Sequence, residues 1–169
     1  EERGAESAAR LRGGGFKVDY LHHDAGDEAG WKNVMAVAGR TLPNLRALVN
    51  NAYSGGNGYI ESLTTRDLRA SQRVNVEGAM LGMQLAANAM TNGGAIVNLA
   101  SIVAFRGVAD NASYAAAKAG IVSLTKSAAV AYARRTPPIR VNAVAPGFIQ
   151  TPSLELAIRA IRGAAEGAE

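Results

Sequence analysis

The 169-residue chain has no cysteine, which excludes a disulfide framework, a thiolate metal site and a cysteine nucleophile. Aromatic residues are scarce, with three Phe and one Trp, so a large aromatic core is not expected. No uninterrupted apolar run approaches the length that spans a bilayer. The opening residues Glu1 to Gly4 lack the apolar core of an export signal, and the expected location is cytoplasmic. Basic tracts are missing too. The formal charge of +4 comes from 18 basic against 14 acidic side chains, scattered so that only Arg134 and Arg135 are adjacent basic residues. Such scatter gives solvated faces and some attraction for an anionic small molecule, not a nucleic-acid surface. The only two histidines, His22 and His23, are neighbours. On a strand they would point to opposite faces, so no metal site is expected. Ser101 lacks a Gly-x-Ser-x-Gly elbow, and paired carboxylates for glycoside hydrolysis are not evident.

What the chain does have is 34 Ala and 19 Gly in a composition that is 48% hydrophobic. That suits one α/β domain with closely approaching helices and backbone. Periodicity predicts alternating elements. A helix over residues 5–12 stops at Gly13-Gly14-Gly15, and a strand follows from Phe16 to Leu21. A helix from about Asp27 carries the stripe Trp31, Val34, Met35, Ala38 and Leu42, and stops at Pro43. Arg46 to Val49 reads as a buried strand and Tyr53 to Gly58 as a Gly-rich loop. One long helix is expected from Thr64 or Thr65 to about Met90. Ala95 to Leu99 is the next strand, Ala112 to Arg134 an Ala-rich helix and Ile139 to Ala145 a strand. A last helix is expected near Pro152. Strands separated by helices imply a doubly wound parallel sheet with helices on both faces, and ligands at the strands' C-terminal ends.

Tyr114-Ala115-Ala116-Ala117-Lys118 opens a helix, thirteen residues after Ser101 at a strand end. Positions i and i+4 share a helix face, so Lys118 can bring its ammonium near the Tyr114 hydroxyl. A free phenol titrates near ~10, and a nearby cation lowers that value. A tyrosine so tuned can give a proton to a carbonyl oxygen or take one from an alcohol. Ser101 can donate a second hydrogen bond to the same oxygen.

These residues stand among others. Leu48-Val49-Asn50-Asn51-Ala52, Asn75, Ile96 to Ser101, Tyr114 to Lys118 and Ile139 to Gly147 resemble, in order and spacing, the short-chain dehydrogenase/reductase family. The resemblance implies a Rossmann-like fold and hydride transfer with NAD or NADP. Tyr114 would be the general acid/base, Lys118 would lower its pKa and bond the nicotinamide ribose, and Ser101 would orient the substrate oxygen. Asn75 would hold a water in the proton relay. Asp24 would bond the adenine amino group, Ala25 and Asn50 would offer backbone, Pro146 and Gly147 would turn against the nicotinamide, and Ile149 and Thr151 would meet its carboxamide. Phe148 to Ile158 resembles the start of an apolar substrate lid, and Leu154, Leu156 and Ile158 read equally as ordinary core contacts of a helix. Tyr53 stands where the family usually has glycine.

The family's glycine fingerprint after its first strand is not found, since Gly13-Gly14-Gly15 precedes a strand. The resemblance therefore implies a single incomplete dinucleotide-binding and catalytic domain over 1–169, lacking the first βαβ unit and the last strand. Two missing strands would separate 16–21 from 46–49 by about 14 Å, three strand spacings. Direct pairing of those segments would instead mean a rearranged sheet. The implied reaction transfers hydride between a nicotinamide dinucleotide and an apolar small-molecule alcohol or ketone, of cyclic alcohol, hydroxysteroid or 3-oxoacyl type. A homodimer or homotetramer through the two long helices is expected. The competing reading is a non-catalytic family member that keeps only its association surface.

Overall fold

The computed structural model describes residues 2–56, 58–151 and 154–155. Helix α1 (Glu2–Gly13) ends at the glycine run, where Gly15 adopts φ +84°, a conformation open to glycine at little cost. The run is a helix stop, as the sequence implies. Helix α2 (Glu28–Thr41) begins at Asp27, whose carboxylate accepts hydrogen bonds from the Ala29 and Gly30 amides at 3.2 and 2.8 Å. Between the two helices the expected strand from Phe16 to Leu21 does not form. Residues 16–24 are irregular, and no ladder joins them to another segment among the described residues. A strand exists by pairing, and here the alternation of Phe16, Val18 and Tyr20 has no neighbour to complete it. The segment consequently leaves Phe16 64% exposed.

Three strands form one parallel sheet in the order β1-β2-β3: β1 (Ala47–Asn50), β2 (Gly94–Leu99) and β3 (Ile139–Val144). The register aligns Leu48, Ile96 and Val141 in one row and Asn50, Asn98 and Ala143 in another. One face carries the core, where Ile96, Ile139 and Val141 pack under Met83, Ala86, Ala87 and Met90. The opposite face leaves Val49 and Val144 exposed. Buried Asn98 links the layers: Asn50 Nδ2 donates to its Oδ1 at 2.8 Å, and its own Nδ2 donates to Thr125 Oγ1 at 2.9 Å. A satisfied polar ladder of this kind fixes register and helix placement together.

The long helix expected from Thr64 to Met90 is one helical course in three parts. Helix α3 (Thr65–Gln72) passes through a π-helical turn (Arg73–Glu77) into α4 (Gly78–Ala89). The wide turn coincides with Asn75, whose Nδ2 donates to the Ser71 carbonyl at 2.9 Å and so competes with the regular backbone ladder. Thr64 and Asp67 form a reciprocal capping box at the start of α3. Replacing Thr64 by Ala removes that box, and a loss of about 1 kcal/mol is expected. The urea midpoint measures it, and an unchanged midpoint would show the cap to be redundant. Helix α5 (Ala112–Tyr132) presents Ser113, Ala117, Ile121 and Thr125 at four-residue spacing as its buried stripe.

Candidate active site

Three loops leave the C-terminal ends of the strands, and α5 begins among them. Ser101 follows β2 and caps a short 3-10 turn (Ile102–Ala104), its Oγ accepting from the Val103 amide at 3.4 Å. The Ile102 amide donates to the Pro146 carbonyl at 3.0 Å, which ties the turn after β3 to the Ser101 loop. Tyr114 sits in the first turn of α5 and Lys118 one turn later. Lys118 is 2% exposed, with Nζ donating to the Leu99 carbonyl at 2.6 Å and lying 5.5 Å from the centre of the Tyr114 ring. Burial brings the Lys118 pKa down to about 8. Helix geometry thus brings Ser101, Tyr114 and Lys118 together at one strand end.

The electrostatic balance differs from the expectation that Lys118 lowers the Tyr114 pKa. Desolvation raises the half-buried phenol above its ordinary range, a hydrogen bond from Ser101 acts the other way, and nearby Tyr53 raises it further. The reason is geometric. The Lys118 ammonium is turned to the Leu99 carbonyl, and its own burial weakens its hold on a proton.

Asn75 is 1% exposed and donates from Nδ2 to the Ser54 carbonyl at 2.8 Å, which pins the loop after β1. Its Oδ1 is buried without a hydrogen-bond partner. Asn75 also lines a cavity of about 120 Å³ with His23, Ala25, Trp31, Asn50 and Asn98. Two of the expected cofactor-contacting positions, Ala25 and Asn50, therefore share one space with Asn75, the expected relay residue. Asp24, next to His23 and Ala25 in the chain, has its carboxylate engaged by the Gly26 amide at 2.8 Å and by Arg73 Nη2 at 3.0 Å. Those contacts, the Gly26 amide foremost, hold its carboxyl below the usual carboxylate range. The Ala25 carbonyl accepts from the Trp31 indole at 2.8 Å. Pro146 lies beside the Ser101 loop, whereas Gly147, Ile149 and Thr151 are exposed. Thr151 Oγ1 accepts from the Leu154 amide at 3.3 Å, which starts a helical turn at Leu154–Glu155. Pro152, and Leu156 and Ile158 of the expected lid, lie outside the described residues.

Sequence reasoning missed the Arg73–Asp24 pair, the Trp31–Ala25 bond and the contact of Tyr53 with Tyr114. The first two join residues whose approach only the tertiary fold creates. Tyr53 did carry a signal, a bulky side chain in a glycine position. Among the described residues no cluster of three or more His, Asp or Glu could hold a metal ion. No described helix is long and apolar enough to cross a membrane.

A parallel sheet whose connecting loops converge at the strand ends is an arrangement of Rossmann type. A model of the short chain dehydrogenase family matches residues 1–160, and the chain belongs to that family. It is 34% identical over 153 residues to the NADP-dependent (R)-specific alcohol dehydrogenase of Lentilactobacillus kefiri, covering 89% of this chain and 61% of that protein. It is 34% identical over 159 residues to the 3-beta-hydroxysteroid dehydrogenase of Comamonas testosteroni, covering 94% of this chain and 61% of that one. Among solved structures, NAD+-bound xylitol dehydrogenase superposes with a TM-score of 0.84 at 28% identity, over 90% of this chain and 59% of that chain. The chain thus spans about three-fifths of the length of these relatives.

Proposed function

We propose that the complete protein is an NAD- or NADP-dependent oxidoreductase that transfers hydride to or from the carbonyl or alcohol carbon of an apolar substrate. Cyclic alcohols, hydroxysteroids and 3-oxoacyl compounds are the substrate types. The observation that carries this reading is the convergence of Ser101, Tyr114 and Lys118 at the ends of β2 and α5, beside the cavity lined by Ala25, Asn50 and Asn75. The names of the two curated relatives, an alcohol and a hydroxysteroid dehydrogenase, agree with it.

The residues present fit the two ends of a dinucleotide, while the glycine turn that holds the pyrophosphate in the family is not found in this sequence. The buried, unpartnered Oδ1 of Asn75 and both buried, unpartnered ring nitrogens of His23 line the same small cavity, which leaves polar capacity for a polar guest. Asp24, Ala25 and Asn50 would hold the adenosine end, while Pro146, Gly147, Ile149 and Thr151 would hold the nicotinamide end. When bound, the nicotinamide supplies or accepts the hydride. Tyr114 transfers the proton between its hydroxyl and the substrate oxygen, and Ser101 donates a hydrogen bond to that oxygen. Lys118 bonds the nicotinamide ribose and supplies positive charge beside the phenol. With its pKa raised, Tyr114 is held in the protonated form at neutral pH, the form that donates to a carbonyl. Asn75 fixes the loop through Ser54 and offers Oδ1 to a relay water. The protein acts in the cytoplasm as a homodimer or homotetramer assembled through the long helices.

Two measurements test this. Fluorescence titration with NADH and NADPH separates a dinucleotide-binding chain from one that keeps only an association surface. Turnover assays on the complete protein, with cyclic, steroid and 3-oxoacyl ketones, are expected to show nicotinamide oxidation. Silence across all three classes with both nucleotides would sink the dehydrogenase reading.

A further inference from the structure

Tyr53 has no part in the chemistry described so far, yet its ring meets Tyr114. The two rings lie edge to face, with centroids 6.3 Å apart and planes at 66°. This is a favoured aromatic geometry. Tyr53 is 54% exposed, so the contact is made at the open mouth of the site and not within the core.

The loop that carries Tyr53 is fastened to the same helical turn that carries Tyr114. Next along the chain, the Ser54 carbonyl accepts from buried Asn75. Gly56 lies so close to Ser113 that a Cβ there would fall 2.3 Å from Ser113 Oγ. The Gly58 amide donates to the Asp110 carbonyl at 2.9 Å, and Gly58 bridges to Asn111, the residue before α5. Loop and helix start are therefore tied together next to the contact of Tyr53 with Tyr114.

We propose that Tyr53 is a positioning residue for proton transfer, its ring bracing the Tyr114 ring at the mouth of the site. The same contact bears on the ionisation of Tyr114. Among the described residues three groups face Tyr114: Ser101 from the loop after β2, Lys118 from α5 itself, and Tyr53 from the loop after β1. Ser101 favours the phenolate, and Lys118 is committed to the Leu99 carbonyl. Tyr53 opposes the phenolate, since a second ionisable phenol at this range disfavours negative charge on the first.

The proposal rests on the reading of Tyr114 as acid/base, and its test separates the two. Ultraviolet titration of phenolate absorbance, taken as the difference between a protein and its own Tyr114→Phe variant, isolates the Tyr114 midpoint. Tyr53→Phe keeps the ring and removes the hydroxyl. It is expected to lower the Tyr114 midpoint, and to move the pH profile of kcat in the complete enzyme in the same direction. Tyr53→Leu removes the brace, and kcat is expected to fall about tenfold with KM little changed and the circular dichroism spectrum intact. An unmoved midpoint in Tyr53→Phe overturns the coupling, and parental kcat in Tyr53→Leu overturns the brace. If the parent enzyme turns over no ketone, the dehydrogenase reading fails and the titration still decides the place of Tyr53.

Discussion

Turnover by the complete protein is expected to fall by about 10²–10⁴-fold on replacing Tyr114 with Phe. The substitution deletes one oxygen and leaves the ring, so the edge-to-face contact with Tyr53 remains. The Lys118 bond to the Leu99 carbonyl also survives, because it does not involve the phenol. Stability should change by no more than about 1 kcal/mol, the net value of one hydrogen bond to a half-buried hydroxyl. The combination separates chemistry from folding: thermal unfolding stays near the parent while the proton has no carrier. Retained turnover would remove Tyr114 from the acid/base role, and a collapsed fold would show its hydroxyl to be structural.

The elements most legible in the sequence are those whose signals are local. Asp27 and Thr64 cap helices because short polar side chains there reach free amides, and Pro43 and the glycine run end helices for equally local reasons. The placement of Ser101, Tyr114 and Lys118 was also legible, since a strand end and an i,i+4 helix pair fix most of it. The strand expected over 16–21 failed for a non-local reason. Alternation describes one side of a ladder, and no partner joins this segment among the described residues. The Arg73–Asp24 pair was hidden because it joins segments distant in the chain, and the π turn because residue spacing does not reveal that Asn75 bonds the Ser71 carbonyl. The ionisation of Tyr114 was less legible for a related reason. Spacing shows that Lys118 can reach it, but the Leu99 carbonyl, supplied by the sheet, claims the ammonium.

Burial makes Lys118 costly to the fold. Its ordinary pKa of 10.5 falls to about 8 in the folded chain, so between these values the unfolded state holds a proton that the folded state has released. Stability is therefore lowest below pH 8 and rises as pH climbs from 8 toward 10, by up to about 3 kcal/mol. The Tyr114 phenol, shifted upward, begins to act in the opposite sense only above its ordinary value near ~10. Replacing Lys118 by Met removes the buried cation. Once the lost bond to the Leu99 carbonyl is counted, the variant should be more stable at pH 7 by roughly 1–2 kcal/mol. It should also lose the rise between pH 8 and 10, and with the ammonium gone the complete enzyme should lose turnover. Urea unfolding at pH 7 and pH 10, for parent and variant, reads the whole argument. Equal slopes with pH would mean that Lys118 keeps its ordinary pKa in the fold. A variant stabilised and silent would show that this lysine is retained for its charge at the site, against the interest of the fold.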